Sequence, residues 1–181
     1  MRAAILGFCL TSLVALPGPA GAVSNDGGRA TKLPLPRYAS LKTDRVNLRE
    51  GPSKDHRTLW VFRRAGLPVE IIAEYETWRR IRDSEGTEGW VLHSLLSGRR
   101  TAVVTAPPGN KAAPPTVSLF ARADASASEE AKLEAGVIGS VKNCSGTWCR
   151  IVVALPQTRG DVDGYIPQER LWGVYPKEAV E

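Results

Sequence analysis

Apolar and polar residues alternate over several short stretches of the chain, and turn-forming residues separate these stretches. The segment Leu67-Pro-Val-Glu-Ile71 has apolar side chains at every second position, which is the period of a strand with one buried face. Two further strands are predicted at Trp78-Arg-Arg-Ile81 and Trp148–Val153, after turns at Glu76-Thr77 and Ser145-Gly146. Short strands about ten residues apart predict a small all-β barrel or sandwich.

The same pattern occurs twice, so the chain contains an internal repeat. Trp78 follows Gly66 at the same spacing at which Trp148 follows Gly136. The equivalent positions are Val46 and Val117, Leu48 and Leu119, Gly66 and Gly136, Trp78 and Trp148, Ile81 and Ile151, Gly89 and Gly164, and Leu96 and Leu171. The second copy has five extra residues within the segment 155–161. A duplicated domain is the prediction.

The repeat sets the expected domain boundaries. The first domain is expected at residues 37–100 and the second at residues 116–181. Residues 101–115 contain four prolines, a composition typical of an extended, semi-rigid connector. Residues 23–36 contain Gly27, Gly28, Pro34 and Pro36, and we expect them to form a flexible lead-in.

The first 22 residues have the three regions of a signal peptide. Arg2 is followed by an apolar run over residues 3–16, and then by the small residues Ala20-Gly-Ala22. The run has 14 residues, fewer than the roughly 20 that span a bilayer. No small residue directly precedes Cys9, which argues against lipidation. We therefore expect cleavage after Ala22 and a periplasmic or secreted protein.

Cleavage would leave two cysteines, Cys144 and Cys149, which we predict to form a disulfide. In the repeat alignment they correspond to Glu74 and Arg79, a pair of opposite charge. Both pairs fit positions that face each other across a hairpin. The bridge should contribute roughly 2 kcal/mol in the chain-entropy model. The alternative is a metal-binding pair, which lacks further ligands because His56 and His93 are far away in sequence.

These residues resemble a known family. Arg45-Val-Asn-Leu-Arg-Glu-Gly-Pro-Ser53 is similar to the opening signature of bacterial SH3-like (SH3b) domains, and Gly66, Trp78, Gly89-Trp-Val91 and Leu95-Leu96 follow in that family's order. The resemblance covers residues 41–98 of the first copy. The second copy is more divergent, since it lacks the Gly-Pro. The resemblance implies two small SH3-like barrels in tandem, and it leaves function open because the family has many binding roles.

Catalytic chemistry has little support in the sequence. A hydrolase needs a nucleophile with an oriented base, whereas His56 lies in a polar run and His93 is expected on a surface turn. Phosphate loops and dinucleotide fingerprints are absent from the sequence. We expect a non-enzymatic protein without a cofactor or a bound metal.

Charge and aromatic residues point to a binding surface instead. Residues 37–100 carry a net charge of +4 and residues 116–181 a net charge of −2. Basic and aromatic residues are interleaved in the first copy, which suits an anionic or carboxylate-bearing partner. The candidate ligand-binding residues are Trp60, Phe62, Trp78, Arg79, Arg80, Arg82 and Trp90. The alternative is that Trp78 and Trp90 fill the core and that the arginines are solubilising charges.

Three classes of function remain at this stage. We expect a cell-envelope binding or scaffolding protein that recognises a protein, a peptide or a peptidoglycan-type ligand. The alternatives are a nucleic-acid-binding protein, suggested by the isoelectric point of 9.3 but disfavoured by export, and an accessory subunit of a cell-wall hydrolase. The apolar run Leu171–Pro176 predicts a seam between the copies; alternatively, it covers the second barrel alone.

Overall fold

The computed structural model describes residues 28, 30–105, 116–155 and 160–181. The predicted signal peptide and its cleavage site lie outside the described residues, as do segments 106–115 and 156–159. Within the described ranges, no helix is long and apolar enough to cross a membrane.

The first barrel is an antiparallel sheet in the order β3-β2-β6-β5-β4-β1-β7. A short 3-10 helix at His93–Leu95 joins β6 to β7. The strands are β1 (Arg37–Leu41), β2 (Val46–Arg49), β3 (Thr58–Phe62), β4 (Pro68–Tyr75), β5 (Trp78–Arg82), β6 (Glu88–Leu92) and β7 (Leu96–Ser97).

The second barrel has the same order of equivalent strands, β10-β9-β13-β12-β11-β8-β14, and a further strand, β15, pairs with β11. Its 3-10 helix is Gln168–Arg170. The strands are β8 (Thr101–Val104), β9 (Thr116–Phe120), β10 (Glu129–Glu134), β11 (Ile138–Ser145), β12 (Trp148–Leu155), β13 (Gly160–Pro167), β14 (Leu171–Trp172) and β15 (Ala179–Val180). The expected all-β fold and the duplication are confirmed.

The start of the second barrel differs from the sequence-based expectation. Residues 101–104, which we expected to begin the connector, form β8 and pair with both β11 and β14. Ala102 and Val104 are buried in the second core. Residues 101–104 form a short apolar run directly before the prolines, and a run of this kind is compatible with a buried barrel strand.

Two equivalent glycines allow close packing in the two cores. A Cβ atom on Gly89 would lie 2.6 Å from Cγ of Leu48 and 2.8 Å from the carbonyl oxygen of Arg49. A Cβ atom on Gly164 would lie 2.7 Å from Cγ of Leu119. Strands β6 and β13 therefore need glycine at this position in order to pass β2 and β9.

Residues 30–36, expected to be part of a flexible lead-in, are held in place by Glu74. Its side chain is fully buried, and it accepts hydrogen bonds from the backbone N–H groups of Ala30 (3.1 Å) and Thr31 (2.9 Å) and from the Thr31 hydroxyl (2.7 Å). A buried carboxylate needs such donors, so the lead-in is ordered where it supplies them.

Aromatic residues join the two barrels at the expected seam. The ring of Tyr38 in β1 lies 5.2 Å from the Trp172 ring and 4.6 Å from the Tyr175 ring, measured between centroids. The Thr101 hydroxyl donates to the carbonyl of Gly66 at 2.8 Å. The predicted seam is confirmed for Trp172 and Tyr175, whereas Leu171 and Val174 of the same run lie in the core of the second barrel.

Candidate functional site

A groove lies beside Trp78 on the first barrel. Two adjoining hollows, of about 230 and 490 Å³, share Lys54, Trp78 and Leu92 as lining residues. Trp78 begins β5 and Leu92 ends β6, where the two residues pair. The loop after β2 supplies Lys54. The groove is thus formed by an aromatic ring, an aliphatic side chain and a loop.

Positive charge is concentrated in this groove. Arg45, Arg49 and Lys54 line the smaller hollow, and no acidic side chain does. Among the described residues, none of these three cations has a carboxylate within ion-pair distance. Arg49 donates one hydrogen bond, from Nη1 to the carbonyl oxygen of His56 at 2.7 Å. The groove can therefore attract an anionic group.

The second barrel has a groove at the equivalent place. It has a volume of about 540 Å³ and is lined by Trp148, Thr147, Pro167 and Gln168. Trp148 pairs with Pro167 as Trp78 pairs with Leu92. Its walls are largely apolar, and Val174, in the segment after β14, contributes to them. Both barrels therefore have a groove beside the equivalent tryptophan, but the cluster of positive charges is present only in the groove of the first barrel.

Comparison with known proteins decides the family. The family model described as bacterial SH3 domain matches two regions, residues 42–98 and 113–173. The chain belongs to the bacterial SH3 domain family. Both SH3 domains retain the tryptophan that borders the groove.

Comparison with solved structures matched the chain to two proteins at low identity. NlpC2 from Trichomonas vaginalis is 13% identical with a TM-score of 0.32, over 76% of this chain and 48% of that chain. NlpC1 from Trichomonas vaginalis is 14% identical with a TM-score of 0.32, over 85% of this chain and 51% of that chain. The chain thus spans about half the length of each. No curated protein matches it.

The candidate ligand residue Arg79 of the first SH3 domain is buried. Its Nε lies 3.3 Å from Oε1 of Glu74, and Nη2 of Arg37 lies 2.5 Å from the same oxygen. Burial raises the pKa of Glu74, but the hydrogen bonds from Thr31 and Arg37 outweigh it and lower that pKa to about 2. The guanidinium of Arg79 is therefore used inside the domain.

Arg80 and Arg82 are exposed, but glutamates neutralise them. Nη2 of Arg80 lies 2.8 Å from Oε2 of Glu88, and Arg82 donates to Oε2 of Glu70 from Nε at 3.0 Å and from Nη2 at 2.5 Å. The hydrogen bonds from Arg82 to Glu70 raise the pKa of Arg82. These arginines are close in sequence but do not form a free cationic surface.

The four aromatic candidates are separated by the fold. Trp78 is buried apart from the face that lines the cationic groove. Trp90 is half-buried and pairs with Arg80 on one side and Arg49 on the other. Trp60 and Phe62 line a different groove, beside the β5–β6 turn. The structure does not bring the seven predicted residues into one site.

Sequence reasoning missed Arg45, Arg49 and Lys54 because it weighted arginines that are consecutive in the chain. The signal that separates free arginines from paired ones is the strand register, which determines whether a glutamate lies near each arginine. Arg82 pairs with Glu70 on one side and with Glu88 on the other. Arg80, two residues earlier on the same strand, reaches Glu88 diagonally. Arg45 and Arg49 flank Asn47 in the family signature, and Lys54 follows that signature directly.

The disulfide is confirmed. Cys144 pairs with Cys149 across the β11–β12 hairpin, with an S–S bond in place. Glu74 pairs with Arg79 in the same register of the first domain. Within the described ranges, no group of three histidine, cysteine or acidic side chains is arranged to hold a metal ion.

Proposed function

We propose that this protein is a non-enzymatic binding protein of the bacterial cell envelope. Its first SH3 domain binds a carboxylate-bearing peptide of the cell wall in the groove beside Trp78. Bacterial SH3 domains typically bind peptidoglycan or proteins. The observation that carries this proposal is the set of three cations, Arg45, Arg49 and Lys54, around one aromatic ring.

The chemistry of the groove favours carboxylates on a peptide. Guanidinium groups bind carboxylates through paired hydrogen bonds, and lysine adds a mobile point charge. The ring of Trp78 and the side chain of Leu92 offer an apolar surface for the aliphatic part of such a ligand. A peptide that carries several free carboxylates along its length satisfies both features.

The described cysteines support binding rather than catalysis. Cys144 and Cys149 are joined in the disulfide, so neither provides the thiolate nucleophile of a cysteine hydrolase. The disulfide is also compatible with an oxidising compartment, which fits the predicted export of the chain.

Co-sedimentation with purified peptidoglycan sacculi tests the proposal. The probe is the chain from Val23, the predicted mature start, and the variant is Arg45→Ser/Lys54→Ser. Neither side chain donates a hydrogen bond to another described residue, so the fold should be preserved. The matched control is Arg63→Ser/Arg99→Ser, which removes two exposed charges of the same domain outside the groove.

The wild type and the control should pellet with sacculi, and the groove variant should remain mostly in the supernatant. We expect a loss of about tenfold in affinity, as for two charge-assisted contacts of about 0.7 kcal/mol each near a surface. Equal pelleting of the groove variant and the control would show that the cationic groove is not the binding site.

A further inference from the structure

A second groove of opposite charge lies on the first SH3 domain. It has a volume of about 240 Å³ and is lined by Trp60 and Phe62 of β3 and by the turn between β5 and β6. Phe62 is buried, whereas 59% of the Trp60 surface is exposed. Asp83 and Glu85 form the opposite wall.

The fold does not require an exposed tryptophan at this position. Trp60 pairs with Leu48, and in the second domain the equivalent Leu119 pairs with Ala131. The two domains have the same strand order, so a methyl group is enough for the barrel at this register. Large exposed aromatic rings are found preferentially where a protein binds a partner.

The acidic wall has a fixed shape and unused charge. One oxygen of Asp83, Oδ1, accepts the backbone N–H groups of Glu85 (3.0 Å) and Thr87 (2.8 Å), which holds the turn. Its other oxygen accepts no hydrogen bond from a described residue. In the part of the chain that the structure describes, neither Asp83 nor Glu85 forms an ion pair.

We propose that this groove binds the protonated amine or guanidinium side chain of a partner peptide. A cation on the face of Trp60 is attracted by the ring quadrupole, and the two carboxylates stand opposite that face to pair with it. Charge complementarity thus selects a cationic side chain. The anion-binding groove beside Trp78 has other lining residues, so the two grooves can be tested separately.

The strand that carries Trp60 favours an extended partner. Strand β3 stands at one end of the sheet order and pairs with β2 alone among the described strands. Its other edge therefore has backbone groups that an extended peptide can use, while side chains at alternate positions enter neighbouring grooves. A lysine or arginine in such a peptide reaches the face of Trp60.

The test is a titration followed through the indole N–H signals in nitrogen-15 NMR spectra. The probe is a capped peptide with one lysine flanked by glycines, and the comparison probe carries Nε-acetyl-lysine instead. Spectra of Trp60→Ala assign the signal. Asp83→Asn/Glu85→Gln removes the charge while the amide oxygen can still hold the turn, and Tyr75→Ala removes another exposed aromatic residue as a control.

The lysine peptide should shift the Trp60 signal, and its affinity should fall about tenfold on acetylation or in the Asp83→Asn/Glu85→Gln variant. Tyr75→Ala and the Arg45→Ser/Lys54→Ser variant should bind as the wild type does. Equal shifts with both peptides, or no shift with the lysine peptide at millimolar concentration, would overturn the inference. Arg45→Ser/Lys54→Ser changes only the groove beside Trp78. Its spectra therefore distinguish a failure of this inference from a failure of the proposed function.

Discussion

The hydroxyl of Tyr175 donates a hydrogen bond to Oε1 of Glu70, at 2.9 Å, and so joins the end of the second SH3 domain to the first. Glu70 is buried and also binds Arg82. Burial and the hydrogen bond to Glu70 raise the pKa of Tyr175, and burial raises the pKa of Tyr38 to about 12. Both phenols are neutral at physiological pH, and the seam combines an edge-on and a tilted pair of aromatic rings with a polar contact.

This seam predicts that the two domains unfold together. Wild type should show one cooperative transition by both near-ultraviolet circular dichroism and calorimetry. Trp172→Ala removes a ring that contacts Tyr38, and it should lower the free energy of unfolding by about 2 kcal/mol and separate the transitions. Trp60→Ala, which removes an exposed ring, should change stability by less than about 0.5 kcal/mol. Two transitions in the wild type that match the isolated domains would exclude the seam as a coupling element.

Acid should weaken the first domain through Glu74. Its pKa is lowered from 4.5 to about 2, so its stabilising contribution is complete above about pH 4.5 and is lost as pH falls towards 2. The shift corresponds to about 3 kcal/mol. Melting temperatures of wild type should fall between about pH 4.5 and pH 2.5, within that window. In Glu74→Gln this component of the fall should be missing, while Glu76→Gln, in the exposed turn, should behave as wild type. An equal fall in Glu74→Gln would contradict this role.

The contrast between Glu74 and Cys144 shows what the sequence could reveal. Alignment of the copies placed the Glu74–Arg79 and Cys144–Cys149 pairs across equivalent hairpins, and the structure has both. Of the further partners of Glu74, Thr31 comes from a proline-rich lead-in with no periodic pattern, and Arg37 is the first residue of β1. Three-dimensional proximity between a lead-in and a hairpin leaves no local signal in the chain.

The ligand site was harder to predict than the fold for a related reason. Barrel strands follow from alternation and glycine spacing, which are local properties. Whether an arginine is free depends on which glutamate lies opposite in a neighbouring strand, as Glu70 does for Arg82. Arg45 and Lys54 line one groove because the fold places the loop after β2 beside Trp78, and the sequence alone does not show this proximity.

The disulfide should stabilise the second domain. Replacing both Cys144 and Cys149 with alanine should lower the free energy of unfolding by roughly 2 kcal/mol, because the unfolded chain gains freedom. Denaturant unfolding with and without reductant measures the effect. Reductant should reproduce the loss in the wild type and should have no effect on the double variant. Two free thiols in an intact-mass measurement of oxidised protein would contradict the bridge.

Glycine at position 164 should be indispensable for close strand packing. Gly164→Ala would bring a methyl group against Leu119 and the carbonyl oxygen of Phe120, and should destabilise the protein by about 2 kcal/mol. Gly160→Ala in the same strand is the control, because its Cβ atom would meet no atom within 4 Å. Similar midpoints of urea unfolding for both variants would show that this close approach is absent.

Calorimetric titration with a soluble cell-wall stem peptide is the most direct test of the cationic groove beside Trp78. One peptide carries free carboxylates and its matched partner carries carboxamides, and each is titrated at about 50 and about 300 mM salt, where screening differs strongly. The free-carboxylate peptide should bind about tenfold more tightly at low salt, and this advantage should shrink at high salt and in Arg45→Ser/Lys54→Ser. Equal affinity for the two peptides, with no effect of salt or of the groove variant, would contradict the account.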